Sequence, residues 1–348
     1  MMSEKRIRAV GMLSGGLDST LAVRVMLEQD IEITALNFRT GFSYVERDRV
    51  VEHGPTEPSD AERAAATLGV DLEVLDVSEE YRPLVLRPRY GYGSGMNPCV
   101  DCRIFLLRQA KAWMYAHGYH FVFTGEVVGQ RPKSQKRHSL NTVARESGLR
   151  GYLLRPLSAK LLEPTIPERR GWVDRDRLYD ISGRGRKAQI ALAEQLGITD
   201  YPQPSGGCCY LIDQTYSRRL RDLLDREGEG ALTRAQVQLL AVGRHLRLLS
   251  GRKVVVGRRE QENDYLEGWG GAGVLLTTLD HPGPMTLVPG EPTQTEVEQA
   301  ARITAGYSDG KDEAAVRVEV RGDRHLGGLT HVLTVEPMPR DEIRKLMV

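Results

Sequence analysis

The chain has little cysteine, no long apolar run and almost no net charge, and each scarcity closes off a class of protein. Four cysteines in 348 residues, at 99, 102, 208 and 209, are too few and too clustered to staple a secreted fold, so metal or redox chemistry is the better first reading of them. No apolar stretch approaches the roughly 20 residues a spanning helix needs, and no secretory apolar segment opens the chain. A cytoplasmic address without membrane attachment is therefore expected. The 48 basic residues are balanced by 47 acidic ones, a net charge of +1, so nucleic-acid binding has to be argued from local patches. What remains, 40% hydrophobic and 27% charged residues over a length sufficient for two cores, describes an ordinary globular protein of two domains.

The first two hundred residues alternate between strand and helix patterns. Strands are expected over 7–13, 32–38, 71–77, 120–124 and 152–157, and helices over 18–29, 59–68, 102–117 and about 139–147. This order predicts an α/β fold, a parallel sheet with helices on both faces, whose ligands gather at the carboxyl ends of the strands. The stretch MLSGGLDST (12–20), Asn37-Phe38 and Thr124-Gly125-Glu126 all fall at such ends.

In MLSGGLDST a glycine pair follows a strand and opens a helix. Glycines let backbone approach a ligand closely, and the first amides of a helix are unpaired donors at a positive dipole end, a natural seat for phosphate. Ser14 and Ser19 add hydroxyls, and Asp18 is placed to cap the helix or hold a magnesium ion. The plain alternative is a tight turn with a capping residue. The cysteines stand in MNPCVDCRIF (96–105), where a helix start would favour thiolate, and in SGGCCYL (205–211). Three readings of them stay open: a structural zinc site, which adjacent Cys208 and Cys209 would serve poorly, inert buried thiols, or sulfur chemistry by persulfide exchange or a three-cysteine iron-sulfur cluster.

SGGLDS after an apolar strand resembles the pyrophosphate-binding loop of the PP-loop ATP pyrophosphatase family, and no G-x-x-x-x-G-K follows that would mark the other common phosphate loop. VFTGEVVGQRPKSQ (122–135) with LLRPL (153–157) is similar to the catalytic domain of the tRNA 4-thiouridine synthetases. NPCVDC and SGGCCYL resemble the paired cysteine motifs of the tRNA 2-thiouridylases. The resemblance covers residues 7 to 212. It implies an ATP-dependent tRNA sulfurtransferase, in which adenylation of a uracil carbonyl oxygen is followed by its replacement with sulfur, releasing AMP and pyrophosphate. By the same resemblance Ser14, Gly15, Gly16, Asp18 and Ser19 hold ATP with Mg2+, and Asn37, Phe38 and Gly125 lie near the nucleotide. Cys99, Cys102 and Cys209 are the catalytic thiols with Asp18 as a further catalytic residue. The same three thiols are the ligands of a 4Fe-4S cluster if one is present, Cys208 being the alternative to Cys209. The implied partners are tRNA and a sulfur donor (a cysteine desulfurase, a carrier or sulfide), and a homodimer is compatible with the reading.

The chain shows no rhodanese-like sulfur carrier, and its ATP loop begins too early to leave room for an RNA-binding extension, so RNA contacts are sought elsewhere. RPKSQKRH (131–138) holds Arg131, Lys133, Lys136 and Arg137 without an acid, and GRGRK (183–187) adds three more cations. Each run also reads as a solvated face, and Lys133 and Lys136 as contacts to ATP. Beyond 212 the texture changes to a helical linker over 213–249 and a C-terminal α+β domain over 250–348. There VVVGRREQENDYL (254–266), DHPGPMTLVPG (280–290) and a helix near 296–305 resemble the RNA-associated domain of NFACT proteins. His245 and His281 read as hydrogen-bonding or surface residues. Two other functions fit the motifs less fully: a PP-loop ligase or amidotransferase that adenylates a small molecule and uses structural zinc, and an RNA-binding protein without turnover. The position of the modified uridine, O2 against O4, and the role of the C-terminal domain are not legible.

Overall fold

A computed structural model describes residues 6–44, 58–202, 208–269, 271–322 and 330–348, and the SGG of SGGCCYL lies outside them. Two compact units divide between Ile212 and Asp213. In the first, β1 (Arg8–Met12), β2 (Glu32–Arg39), β3 (Asp71–Asp76), β4 (Phe121–Thr124) and β5 (Leu153–Leu154) form one parallel sheet of order β3-β2-β1-β4-β5. Alternation along the strands supplies two cores, one on each face. Ala9, Phe121 and Phe123 pack with the Leu17–Leu27 helix on one side, while Val10, Met12 and Val122 pack with the Cys99–Ala116 helix on the other. The chain leaves β1 toward β2 and later returns on its opposite side as β4, which opens a crevice at the carboxyl ends of β1 and β4.

The expected α/β architecture with helices on both faces is what the chain adopts. Two elements differ from expectation. The strand anticipated over 152–157 is only two residues long, because Pro156 offers no N–H to the ladder and starts a 3-10 turn through Leu161. A helix at Ser78–Leu86 forms despite Pro83 in its interior, held by the buried side chains of Tyr81 and Val85.

The second unit is built on an antiparallel sheet of order β11-β10-β8-β9-β7-β6, with β6 Arg244–Arg247, β7 Lys253–Val256, β8 Gly273–Thr278, β9 Thr286–Pro289, β10 Val316–Arg321 and β11 His331–Val335. The Gln294–Tyr307 helix, opened by a Thr293/Glu296 capping box, packs Val297, Ala300, Ala301 and Ile303 against valines and leucines of this sheet. His245 is buried, its Nε2 bonded to the carbonyls of Leu239 and Val242, as a structural histidine. Among the described residues no helix is long and apolar enough to cross a membrane.

Candidate active site

At the end of β1 the chain turns through Gly15 at φ +81°, where a Cβ would lie 2.2 Å from the backbone carbon of Asp60. Only glycine fits this position. Gly16 then opens the Leu17–Leu27 helix with no side-chain cap, which leaves the first-turn amides without an intramolecular acceptor. The loop is braced from within. Ser14 N–H donates to Ser19 Oγ at 3.3 Å, the two hydroxyls lie 3.1 Å apart, and Ser19 Oγ donates to the Gly16 carbonyl at 2.8 Å. Asn37 Nδ2 donates to the Leu13 carbonyl at 2.8 Å, tying the end of β2 to the loop, while Phe38 packs beside the second core.

Asp18 does not cap the helix. It stands in the first turn, and Gln130 Nε2 donates to its Oδ2 at 2.9 Å while Oδ1 is buried with no hydrogen-bond partner. An orphaned carboxylate oxygen beside unpaired amides fits a divalent cation carried in with a polyphosphate. Gly125, just past β4, lies against this turn so tightly that a Cβ would be 2.4 Å from the Asp18 carbonyl oxygen.

The next residue leads to the thiols. Glu126 is buried; Arg155 Nε donates to its Oε2 at 2.9 Å, and Arg103 Nε lies 3.7 Å from its Oε1. Burial alone would raise the Glu126 carboxyl, but Arg155 and Arg103 outweigh it and hold the group below its ordinary 4.5. The pair's contribution to stability is thus complete above pH 4.5 and fades as the pH falls through the lower folded value. Arg155→Ala, which strands the buried carboxylate, is expected to cost about 3–5 kcal/mol in chemical denaturation at neutral pH. A loss near zero would mean that Glu126 finds another partner.

Arg103 follows Cys102 in the helix whose first turn carries both early cysteines. Asp101 anchors that turn by accepting from the N–H groups of Arg89 and Tyr90, each at 3.0 Å. The late pair is brought alongside by two backbone bonds, Tyr210 N–H to the Phe42 carbonyl and Met96 N–H to the Leu211 carbonyl, both 2.9 Å. All four thiols are free. Their environments differ sharply. Burial raises Cys99 and pushes Cys102 up to about 12, against the pull of Arg103, so desolvation overrides the helix-start effect that favours thiolate. Cys208 is solvent-exposed and lowered well below 9, first by the hydrogen bond that the Cys209 thiol donates to it, with Arg131 and Arg103 adding to the effect. Cys209, buried, keeps its proton. Among the described residues no three of histidine, cysteine, aspartate and glutamate are disposed to hold a metal ion.

Of the basic run, Arg131 faces Cys208, Lys133 Nζ donates to the Tyr92 carbonyl at 3.2 Å, and Lys136 and Arg137 are exposed at the start of the Arg137–Glu146 helix. The second run is tied to the chain just before the first: Gly183 N–H donates to the Val128 carbonyl at 2.8 Å. Sequence reasoning missed the roles of Arg103, Arg155 and Tyr81, the last of which donates to Cys102. Arg155 and Glu126 stand inside strings that were noticed, TGE and LLRPL, with no cue that they pair.

A glycine-turned loop at the switch point of a parallel sheet, with an unpartnered carboxylate oxygen beside it and thiols linked to it through Glu126, is an arrangement suited to a PP-loop nucleotide-binding α/β protein. Residues 7–168 match the family model described as the tRNA methyl transferase HUP domain, and residues 243–347 that of the NFACT protein RNA binding domain. These two matches support a PP-loop domain like that of the tRNA thiolation enzymes followed by an NFACT-like C-terminal domain. It is similar to the tRNA-specific 2-thiouridylase MnmA of Thermotoga petrophila, 36% identical over 27% of this chain and 28% of that protein. The MnmA of Petrotoga mobilis is 24% identical over 64% of this chain and 59% of its own length. The chain thus spans between about a quarter and two thirds of the curated relatives it matches. Among solved structures, a 4-thiouridine synthetase–RNA complex with bound ATP is 19% identical with a TM-score of 0.33, covering 55% of this chain and 51% of that one, too distant a likeness to carry an argument.

Proposed function

We propose that this chain is an ATP-dependent tRNA uridine sulfurtransferase, cytoplasmic and supplied with sulfur by a separate donor. The observation that carries the reading is a continuous run of contacts from nucleotide loop to thiols: Asp18 against Gly125, Glu126 beside Arg103, and Arg103 next to Cys102. Such contiguity suits a reaction in which one uracil oxygen is first adenylated and then displaced at the same carbon. The loop amides with Ser14 and Ser19 would hold the pyrophosphate, and Asp18 would ligate magnesium, which neutralises charge on the leaving group. The relatives' specificity favours O2 as the oxygen replaced.

For the sulfur step the exposed Cys208 thiolate is the best acceptor of a sulfane sulfur, although the motif resemblance favours Cys209. The terminal sulfur of the persulfide attacks the adenylated carbon and AMP leaves. Cys102 then attacks the Cys208 sulfur, a Cys102–Cys208 disulfide forms, and the thiocarbonyl is released; an external thiol reductant resets the pair. An order is built in. The charge on Cys208 is one of the causes that raise Cys102. Once the terminal sulfur has bonded to the uracil carbon that charge is gone, and Arg103 favours the Cys102 thiolate for the attack that follows. No step requires a cluster.

The test combines purified protein, ATP, magnesium, a persulfide donor, a thiol reductant and unmodified tRNA, followed by nucleoside mass spectrometry. A thiouridine formed with AMP and pyrophosphate is expected, and the same nucleoside should be missing from tRNA of a strain lacking the gene. AMP formation on a small molecule without RNA would replace this reading by a ligase.

A further inference from the structure

The C-terminal unit contains a cation-and-aromatic cluster that the mechanism does not use. Tyr307 is the last residue of the Gln294–Tyr307 helix, and two guanidinium groups approach its ring, Arg340 at 4.2 Å and Arg244 at 4.8 Å from the centroid. Arg244 comes from β6 and Arg340 opens the short helix Arg340–Lys345, so three distant segments converge here. Neither arginine has a carboxylate ion-pair partner among the described residues; Arg244 only donates to the Gly257 carbonyl at 3.1 Å. Burial, with the like charges of Arg258 and Arg340, lowers Arg244 below its ordinary value, while Tyr307 and Glu262 oppose the shift.

Beside the ring lies a half-open cavity of about 350 Å³ bounded by Gly306, Lys311, Asp312 and the Pro337–Arg340 segment. Gly306 is what brings its walls together, since a Cβ there would sit 2.3 Å from the Met338 carbonyl oxygen. Lys311 and Arg340 are exposed at the rim, and Asp312 is the one carboxylate lining it. Arginines gathered at an aromatic ring without a carboxylate ion-pair partner suit an anion, and a cavity of this size takes one nucleotide rather than a duplex.

We propose that Arg244, Tyr307, Arg340 and Lys311 form a binding site for a single-stranded RNA segment, with the arginines and Lys311 on backbone phosphates and one nucleotide in the cavity. This deepens the reading of the chain as a tRNA-modifying enzyme, for it gives the C-terminal unit a defined contact with the substrate. The two stand or fall on different measurements.

The experiment follows binding of a fluorescent, unmodified tRNA to the full chain by anisotropy between about 50 and 300 mM salt, without ATP. Arg244→Gln/Arg340→Gln and Lys311→Gln are compared with the parent, and thermal melts check the fold. The double variant is expected to bind about tenfold more weakly at 0.1 M salt, with the slope of log affinity against log salt reduced by about two, and Lys311→Gln by about one. Tyr307→Phe, which keeps the ring, should bind like the parent. Unchanged affinity and slope in the folded arginine variant would overturn the site, and so would absence of RNA binding by the parent. Binding lost as predicted while no thiouridine is ever made by the parent would keep the site and discard the sulfurtransferase reading.

Discussion

Asp18→Asn is expected to lower AMP-forming turnover of ATP by about a hundredfold to a thousandfold, the size of effect seen when one preorganised charge-stabilising group is removed. The reason lies in what surrounds the carboxylate. One oxygen accepts from Gln130, and the other is buried without a partner next to the amides that begin the Leu17–Leu27 helix. Nothing among the described residues compensates that oxygen, and on the proposed reading it ligates a bound cation. For the same reason the variant should fold normally. Removing a charge from a helix's first turn forfeits about 0.3–1 kcal/mol, while relief of an unpaired buried oxygen offsets part of it. A loss of turnover with an almost unchanged melting temperature is thus the signature of Asp18 as a ligand. Gly15→Ala provides the contrast, since it must lose stability as well, its Cβ falling 2.2 Å from backbone at φ +81°. Turnover of the Asn variant within a few-fold of the parent, measured as pyrophosphate release, would remove Asp18 from the site.

The loop was legible because its signal is local. A glycine pair at the point where apolar periodicity changes from strand to helix names the backbone geometry that the loop adopts. The sheet was legible for a similar reason, since β1, β2 and β4 are short apolar runs between periodic helices. What the pattern could not disclose depends on partners far apart in the chain. Glu126 and Arg155 are 29 residues apart, and only the pairing of β4 with β5 places them together. Tyr307 and Arg244 lie farther apart still, and neither residue type is unusual where it stands. Much of the C-terminal sheet was equally opaque, since β6 reads Arg-His-Leu-Arg and its apolar alternation is broken by two arginines, of which Arg247 pairs with Asp222 and Glu227 of the Gln214–Glu227 helix. The cysteines occupy the middle ground. Their clustering pointed to sulfur chemistry, yet the expected thiolate at the helix start is reversed by burial, a quantity no local spacing reveals.

That reversal sets the largest prediction for the thiols. Cys102→Ser, which keeps a group able to accept from Tyr81, is expected to reduce thiouridine formation by at least about a thousandfold while tRNA-dependent release of AMP continues. Adenylation and sulfur transfer would thereby be separated in one protein. Alkylation mapped by mass spectrometry tests the proposed order. Near pH 7 iodoacetamide should modify Cys208 first, as the exposed thiol lowered well below 9, and should leave Cys102 and Cys209 untouched. After Cys208 is capped as a mixed disulfide, the negative charge facing Cys102 is gone and its reactivity should begin at a lower pH than in the uncapped protein. The single variants then assign the acceptor. Loss of sulfur transfer in Cys208→Ala with activity retained in Cys209→Ala would fit a thiolate whose neighbour only supplies a hydrogen bond. The opposite result would return the sulfur to Cys209 and leave Cys208 as the group that tunes it.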